Sequence, residues 1–110
     1  MAETFKNANL DVTSTPTTIY TAPASTTSIV MSLRISNVDG SVSDSITAEW
    51  IDSDGTTKAY LGYTLTVPAD SVLELAGESK IVLETGDKID LTGAAASGDL
   101  EAFMSILEIT

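Results

Sequence analysis

The chain contains neither histidine nor cysteine. Those residues supply most general bases near neutral pH, most zinc sites, all disulfides and the thiolate nucleophiles, so conventional catalysis is disfavoured. Lack of cysteine also excludes the disulfide-stapled scaffolds of many small secreted domains. Long apolar runs are missing, and nothing here has the length of a membrane-crossing helix. Met1 to Asn7 shows no basic start followed by an apolar segment, so export by a signal peptide is not expected. Basic residues are scarce as well: five Lys+Arg stand against sixteen Asp+Glu, a formal charge of −11. That exceeds the magnitude of about 2 to 8 that suits a small soluble domain. Such a field repels phosphate backbones and anionic lipid, so neither nucleic acid nor membrane is an expected partner. It serves solubility, or it fits a basic patch on a protein partner.

What is present is β-strand patterning. At 110 residues, with 43% apolar residues, the chain is too hydrophobic for a disordered acidic segment and is read as one domain. Residues 1–9 are read as an N-terminal arm with Phe5 as a lone apolar anchor, and residues 10–110 as a single β-sandwich domain. Strands are expected at Leu10 to Ser14 and Thr17 to Thr21, with Pro16 between them. From Ser28 to Asn37 the alternation puts Ile29, Met31, Leu33 and Ile35 on a core face and Val30 and Arg34 on the other. Ser45 to Ile51 and Lys58 to Val67 read as a hairpin around Asp52-Ser53-Asp54-Gly55 with a loop of about four to six residues. In its second strand Leu61, Tyr63, Leu65 and Val67 share a face and Tyr60 lies off it, an exposed contact candidate.

Short strands follow at Ser71 to Leu75, Ile81 to Glu84 and Lys88 to Leu91, then a small-residue loop from Thr92 to Gly98. The last strand, Asp99 to Ile109, is apolar on both faces: Leu100, Ala102, Met104 and Ile106 on one, Phe103, Leu107 and Ile109 on the other. Its second face is covered either by a loop or arm of the same chain or by a neighbouring subunit. The fold class is therefore all-β: an antiparallel β-sandwich of about eight strands, jelly-roll-like, with an immunoglobulin-like sandwich as the alternative.

No constellation carries evident chemistry. Asp52 and Asp54 resemble a fragment of a calcium loop, but a third ligand and the closing glutamate are missing, and Asp-Gly pairs are ordinary turn residues. They are weak metal candidates, and no cofactor is expected. No spacing selects a carboxylate pair for glycoside hydrolysis. Trp50 keeps register with Ile46 and Ala48 and is read as core. Hydroxyl residues are abundant, but no base accompanies them in a Ser-x-x-Lys arrangement. Arg34, the single arginine, pairs either with a carboxylate of its own sheet or with a neighbouring subunit.

Several idioms occur in order along the chain: Tyr20-Thr21-Ala22-Pro23, Leu33-Arg34-Ile35-Ser36-Asn37, Trp50, Val67-Pro68-Ala69, Leu83-Glu84-Thr85-Gly86-Asp87, Ser97-Gly98-Asp99-Leu100 and Leu107-Glu108-Ile109. In this order the chain resembles small virion structural proteins of tailed bacteriophages. The resemblance implies a β-sandwich that coats, cements or connects virion parts, without catalytic residues, assembled in the host cytoplasm. Capsid decoration or cement is the preferred role, with a neck or tail adaptor or a fibre-associated protein as alternatives. A carbohydrate-binding module is the rival from another class. The expected partners are other virion proteins, foremost a major capsid protein, and further copies of the chain, taken as a trimer. Interface candidates are Phe5, Arg34, Tyr60, Phe103, Leu107 and Ile109.

Overall fold

In the computed structural model, residues 2–94 and 99–110 are described. Nine strands follow in order: β1 (Glu3–Val12), β2 (Thr17–Thr21), β3 (Thr27–Asn37), β4 (Asp44–Ile51), β5 (Lys58–Val67), β6 (Val72–Glu74), β7 (Ile81–Leu83), β8 (Lys88–Gly93) and β9 (Leu100–Ile109). There is no helix among the described residues. The strands form two antiparallel sheets. Sheet A has the order β1-β9-β3-β6 with β7 also on β3, and sheet B has the order β2-β8-β4-β5.

β6 and β7 both lie along β3 and together make one interrupted strand. Counted so, the chain is a nested hairpin in which β1 pairs β9, β2 pairs β8, β3 pairs β6 and β7, and β4 pairs β5. Rolled up, that ribbon is closed by β3 on β9 and by β4 on β8. This is the winding of a jelly roll, and it excludes the immunoglobulin-like alternative. Side chains from the inner faces of both sheets fill the core: Val12, Val30, Leu33, Ile35, Leu100, Met104 and Ile106 from sheet A meet Ile46, Ala48, Ile89 and Leu91 from sheet B. Trp50 packs at the margin of this core, half-buried.

Three expectations need correction. Residues 3–9 are not an arm. They form the greater part of β1, paired along β9 in unbroken register from Glu3–Ile109 to Val12–Leu100. Apolar Ala8 and Leu10 make the strand worth holding, because both pack on the core. In β3, a bulge between Val30 and Ser32 adds one residue and reverses the alternation. Ser28 and Val30 therefore face inward before it and Leu33 and Ile35 after it, while Ile29 is on the outer face. In β5, two register shifts against β4 break the expected face, so Val67 is buried but Tyr63 is 60% exposed and Leu65 38% exposed. The β4–β5 loop occupies residues 52–57, as expected. Of the loop expected at Thr92 to Gly98, Thr92 and Gly93 belong to β8 and residues 95–98 lie outside the described residues.

Candidate interaction surface

Sheet B covers only one face of sheet A. On the outer face, strand pairing sets side chains in rows: Phe5 lies opposite Leu107, Leu107 opposite Ile29, and Ile29 opposite Val82. Four apolar residues thus cross all four strands of that end of the sheet, a row of about 15 Å at ordinary strand spacing. Phe5 is 73% and Val82 56% exposed, while Leu107 and Ile29 are half-buried between them. Ile109 extends the row's flank, opposite Glu3 and Thr27.

A second row runs Asn9, Phe103, Arg34, Glu74. Phe103 is 45% exposed and borders a shallow depression lined by Asn9, Asp11, Ser36 and Glu101. Arg34 lies 3.9 Å from the Glu74 carboxylate, a loose and mostly solvated pair within the sheet. The other oxygen of Glu74 has structural work: it accepts from the backbone N–H of Leu33 at 2.7 Å and of Ala76 at 3.1 Å. It thereby satisfies β3 in the gap between β6 and β7.

Phe5, Arg34, Phe103, Leu107 and Ile109 are thus brought onto one face of one sheet. Tyr60 is elsewhere, on β5 at the edge of sheet B, its ring 4.8 Å from that of Tyr63 and inclined at 63°. Sequence reasoning missed Ile29, which the unseen bulge turned from the core, and Val82, which sits in a strand of only three residues. Of the two covers considered for the second face of β9, an arm of the same chain does not supply it, because residues 3–9 lie beside β9 as β1.

Two loop carboxylates, Asp39 and Asp54, bond within their own turns, whereas Asp52 joins its turn through its backbone, its carbonyl accepting from the N–H of Gly55 at 2.9 Å. Asp54 accepts from the N–H groups of Thr56 and Thr57 and from the Thr57 hydroxyl, all at 2.8 Å, which pulls its pKa down to about 2. Asp39 accepts from the N–H groups of Ser41 and Val42, and these bonds hold its pKa below the usual carboxylate range. Among the described residues no three metal-ligating side chains form a cluster.

No family model matches the chain, and no curated protein matches it. Among solved structures, a chain in the structure of infectious bursal disease virus Gx strain superposes with a TM-score of 0.53 at 14% identity. The match covers 98% of this chain and 30% of that one. A chain in the structure of the Gt strain matches over the same shares at 14% identity with a TM-score of 0.40. This chain therefore spans about 30% of the length of the chains it matches. At such identity the likeness to the Gx-strain chain is one of fold: a β-sandwich shared with a chain from a virus structure.

Proposed function

We propose that this chain is a non-enzymatic virion structural protein that works by burying the outer face of sheet A against a neighbouring virion subunit. The observation that carries this reading is the Phe5–Leu107–Ile29–Val82 row, an apolar strip left uncovered across a whole sheet. The fold shared with a chain of a virus structure supports the viral setting. On the same face Glu3 lies beside the strip and Glu74, Asp11 and Glu101 lie farther along the sheet, so the matching surface on the partner is apolar over the strip and basic beyond it.

Within that reading the role is capsid decoration or cement in a tailed bacteriophage, resting on the sequence resemblance. A protein that binds the assembled lattice better than its separated subunits stabilises the lattice by mass action. Co-sedimentation of the purified protein with bare capsids and with isolated tails tests this. Capsid binding supports decoration, tail binding transfers the role to a neck or tail adaptor, and binding to neither defeats the proposal. The exposed Tyr60–Tyr63 pair favours one second reading, carbohydrate binding, for which glycan binding abolished by Tyr60→Ala would be the support.

A further inference from the structure

Each sheet of the sandwich has two edges, and three of the four are interrupted. β6 and β7 are three residues each. β2 is five residues long, follows Pro16 and shifts register between Thr18 and Tyr20. β5 shifts register twice and carries Thr64 at φ 45°, a backbone conformation costly for a β-branched residue. Bulges, short strands and bends are the ordinary means of keeping an edge from pairing with another chain. β1 has none of them: it is ten residues long, without proline or glycine, and in unbroken register with β9.

The hydrogen-bonding groups of β1 alternate between β9 and the free edge. The amide of Ala2 donates to the carbonyl of Thr110 at 3.2 Å, and the amide of Thr110 donates to the carbonyl of Ala2 at 2.9 Å. Because antiparallel ladders alternate, the even-numbered residues of β1 bond to β9. The amides and carbonyls of Glu3, Phe5, Asn7, Asn9 and Asp11 then point to the free edge. Lys6, the one cation on the strand, is turned to Glu108 at 3.2 Å and does not guard that edge.

We propose that two copies of this chain pair through their β1 edges, antiparallel about a twofold axis at Ala8, joining both copies of sheet A into one continuous sheet. In this register Asn7 of each copy exchanges backbone bonds with Asn9 of the other, and Phe5 with Asp11. On the inner face Lys6 lies opposite Leu10 and Thr4 opposite Val12. Small Ala8 meets its own copy at the close-approach pair, and no like charges face each other. Centring on Asn7 instead sets Glu3 opposite Asp11 twice, which is repulsive. The pairing uses up the edge of both copies and closes as a dimer. This inference does not depend on the virion role.

The test is sedimentation equilibrium of the full chain at low and high salt, with site-specific cross-linking. Since each copy carries −11, the dimer should tighten with added salt, whereas a basic partner on the same edge would be released by it. Asn7→Pro removes an edge-facing N–H without touching the β9 ladder. It should weaken the dimer tenfold or more with the thermal midpoint of the monomer retained, and Asn9→Pro serves if that variant does not fold. In a chain with no native cysteine, Ala8→Cys should form a disulfide dimer under mild oxidation, since Cα atoms of such a pair are about 4.5 Å apart. Asn7→Cys should not, being offset along the strand. A strictly monomeric protein at millimolar concentration in both salts overturns the proposal. So does a dimer indifferent to both proline variants, or cross-linking through Asn7→Cys in place of Ala8→Cys.

Discussion

The phenolic hydroxyl of Tyr20, on β2, donates to the carboxylate of Glu108, on β9, so one hydrogen bond ties sheet B to sheet A. Ser28 shares the phenol at 2.8 Å and Lys6 reaches the second carboxylate oxygen at 3.2 Å. Glu108 is 6% exposed, and a carboxylate so far from water is tolerable because each oxygen has a donor. Burial, then the bond to Glu108, pushes the pKa of Tyr20 from 10.0 up to about 12. The bond from Tyr20 and the nearby Lys6 hold that of Glu108 below the usual carboxylate range.

These shifts set two pH limits. A raised tyrosine pKa favours the neutral phenol in the folded state, so its contribution is whole below pH 10.0 and is lost as pH rises toward about 12. A lowered carboxylate pKa contributes above the ordinary carboxylate range and is lost as pH falls through the lowered value. Tyr20→Phe should therefore flatten the alkaline fall in stability, and Glu108→Gln the acid one. Urea midpoints measured across pH check both, and an unchanged alkaline limb in Tyr20→Phe would refute the assignment.

Asp87 fastens three connections at one end of the sandwich. Its carboxylate accepts from the N–H of Ser53 in the β4–β5 loop at 3.2 Å and from the N–H of Glu84 at 2.9 Å, while its carbonyl accepts from Ala22 after β2 at 2.9 Å. Asp87 is 2% exposed, so Asp87→Ala leaves donors without a ready substitute. About 1–3 kcal/mol should be lost for each donor left unsatisfied. Asp87→Asn, which keeps one acceptor oxygen, should lose less. Chemical denaturation of the two variants gives the comparison.

Glycines in the two tight turns differ in what surrounds them. Gly55 has φ 78° with nothing near its missing side chain, whereas Gly86 has φ 86° and a side chain there would meet the Cβ of Ser53 at 2.7 Å. Gly55→Ala should cost about 1–2 kcal/mol for the left-handed backbone alone. Gly86→Ala carries that cost and a steric one, and should melt lower than Gly55→Ala. Equal melting temperatures would mean that the β4–β5 loop yields freely to the Gly86 turn.

The strand content and most of the core could be read from alternation and turn residues, as at Leu100 to Ile106 or at Ile46 and Ala48. Two features were not readable, for a common reason. The Met31 bulge leaves the pattern of Ser28 to Asn37 looking regular, because Ile29 is apolar enough to pass for core, and Val30, expected on the outer face, is buried instead. The pairing of Glu3 to Asn9 depends on a partner a hundred residues away, and its Asn-Ala-Asn stretch has little strand preference of its own. Both features are set by pairing with β9, which the local pattern does not carry. At the interaction surface the apolar residues of β9 were visible, but their alignment with Phe5 and Val82 required the register.

That alignment supplies the sharpest separation of stability from assembly. Val82 is 56% exposed on the outer face of a three-residue strand, and its chain neighbours Ile81 and Leu83 face inward. Val82→Glu removes one end of the apolar row and adds a charge where an already acidic protein must approach its neighbour. Surface substitutions of this kind usually shift folding stability by less than about 0.5 kcal/mol. Binding to particles should fall by about tenfold or more, since a buried unpaired carboxylate at an interface costs at least 1.4 kcal/mol on the scale of such penalties. Phe5→Ser, at the other end of the row, should act in the same direction, whereas Tyr60→Ala on the other sheet should leave particle binding intact. Co-sedimentation of the three variants beside their melting curves decides it: loss of binding with Tyr60→Ala alone would move the contact from sheet A to the edge of sheet B.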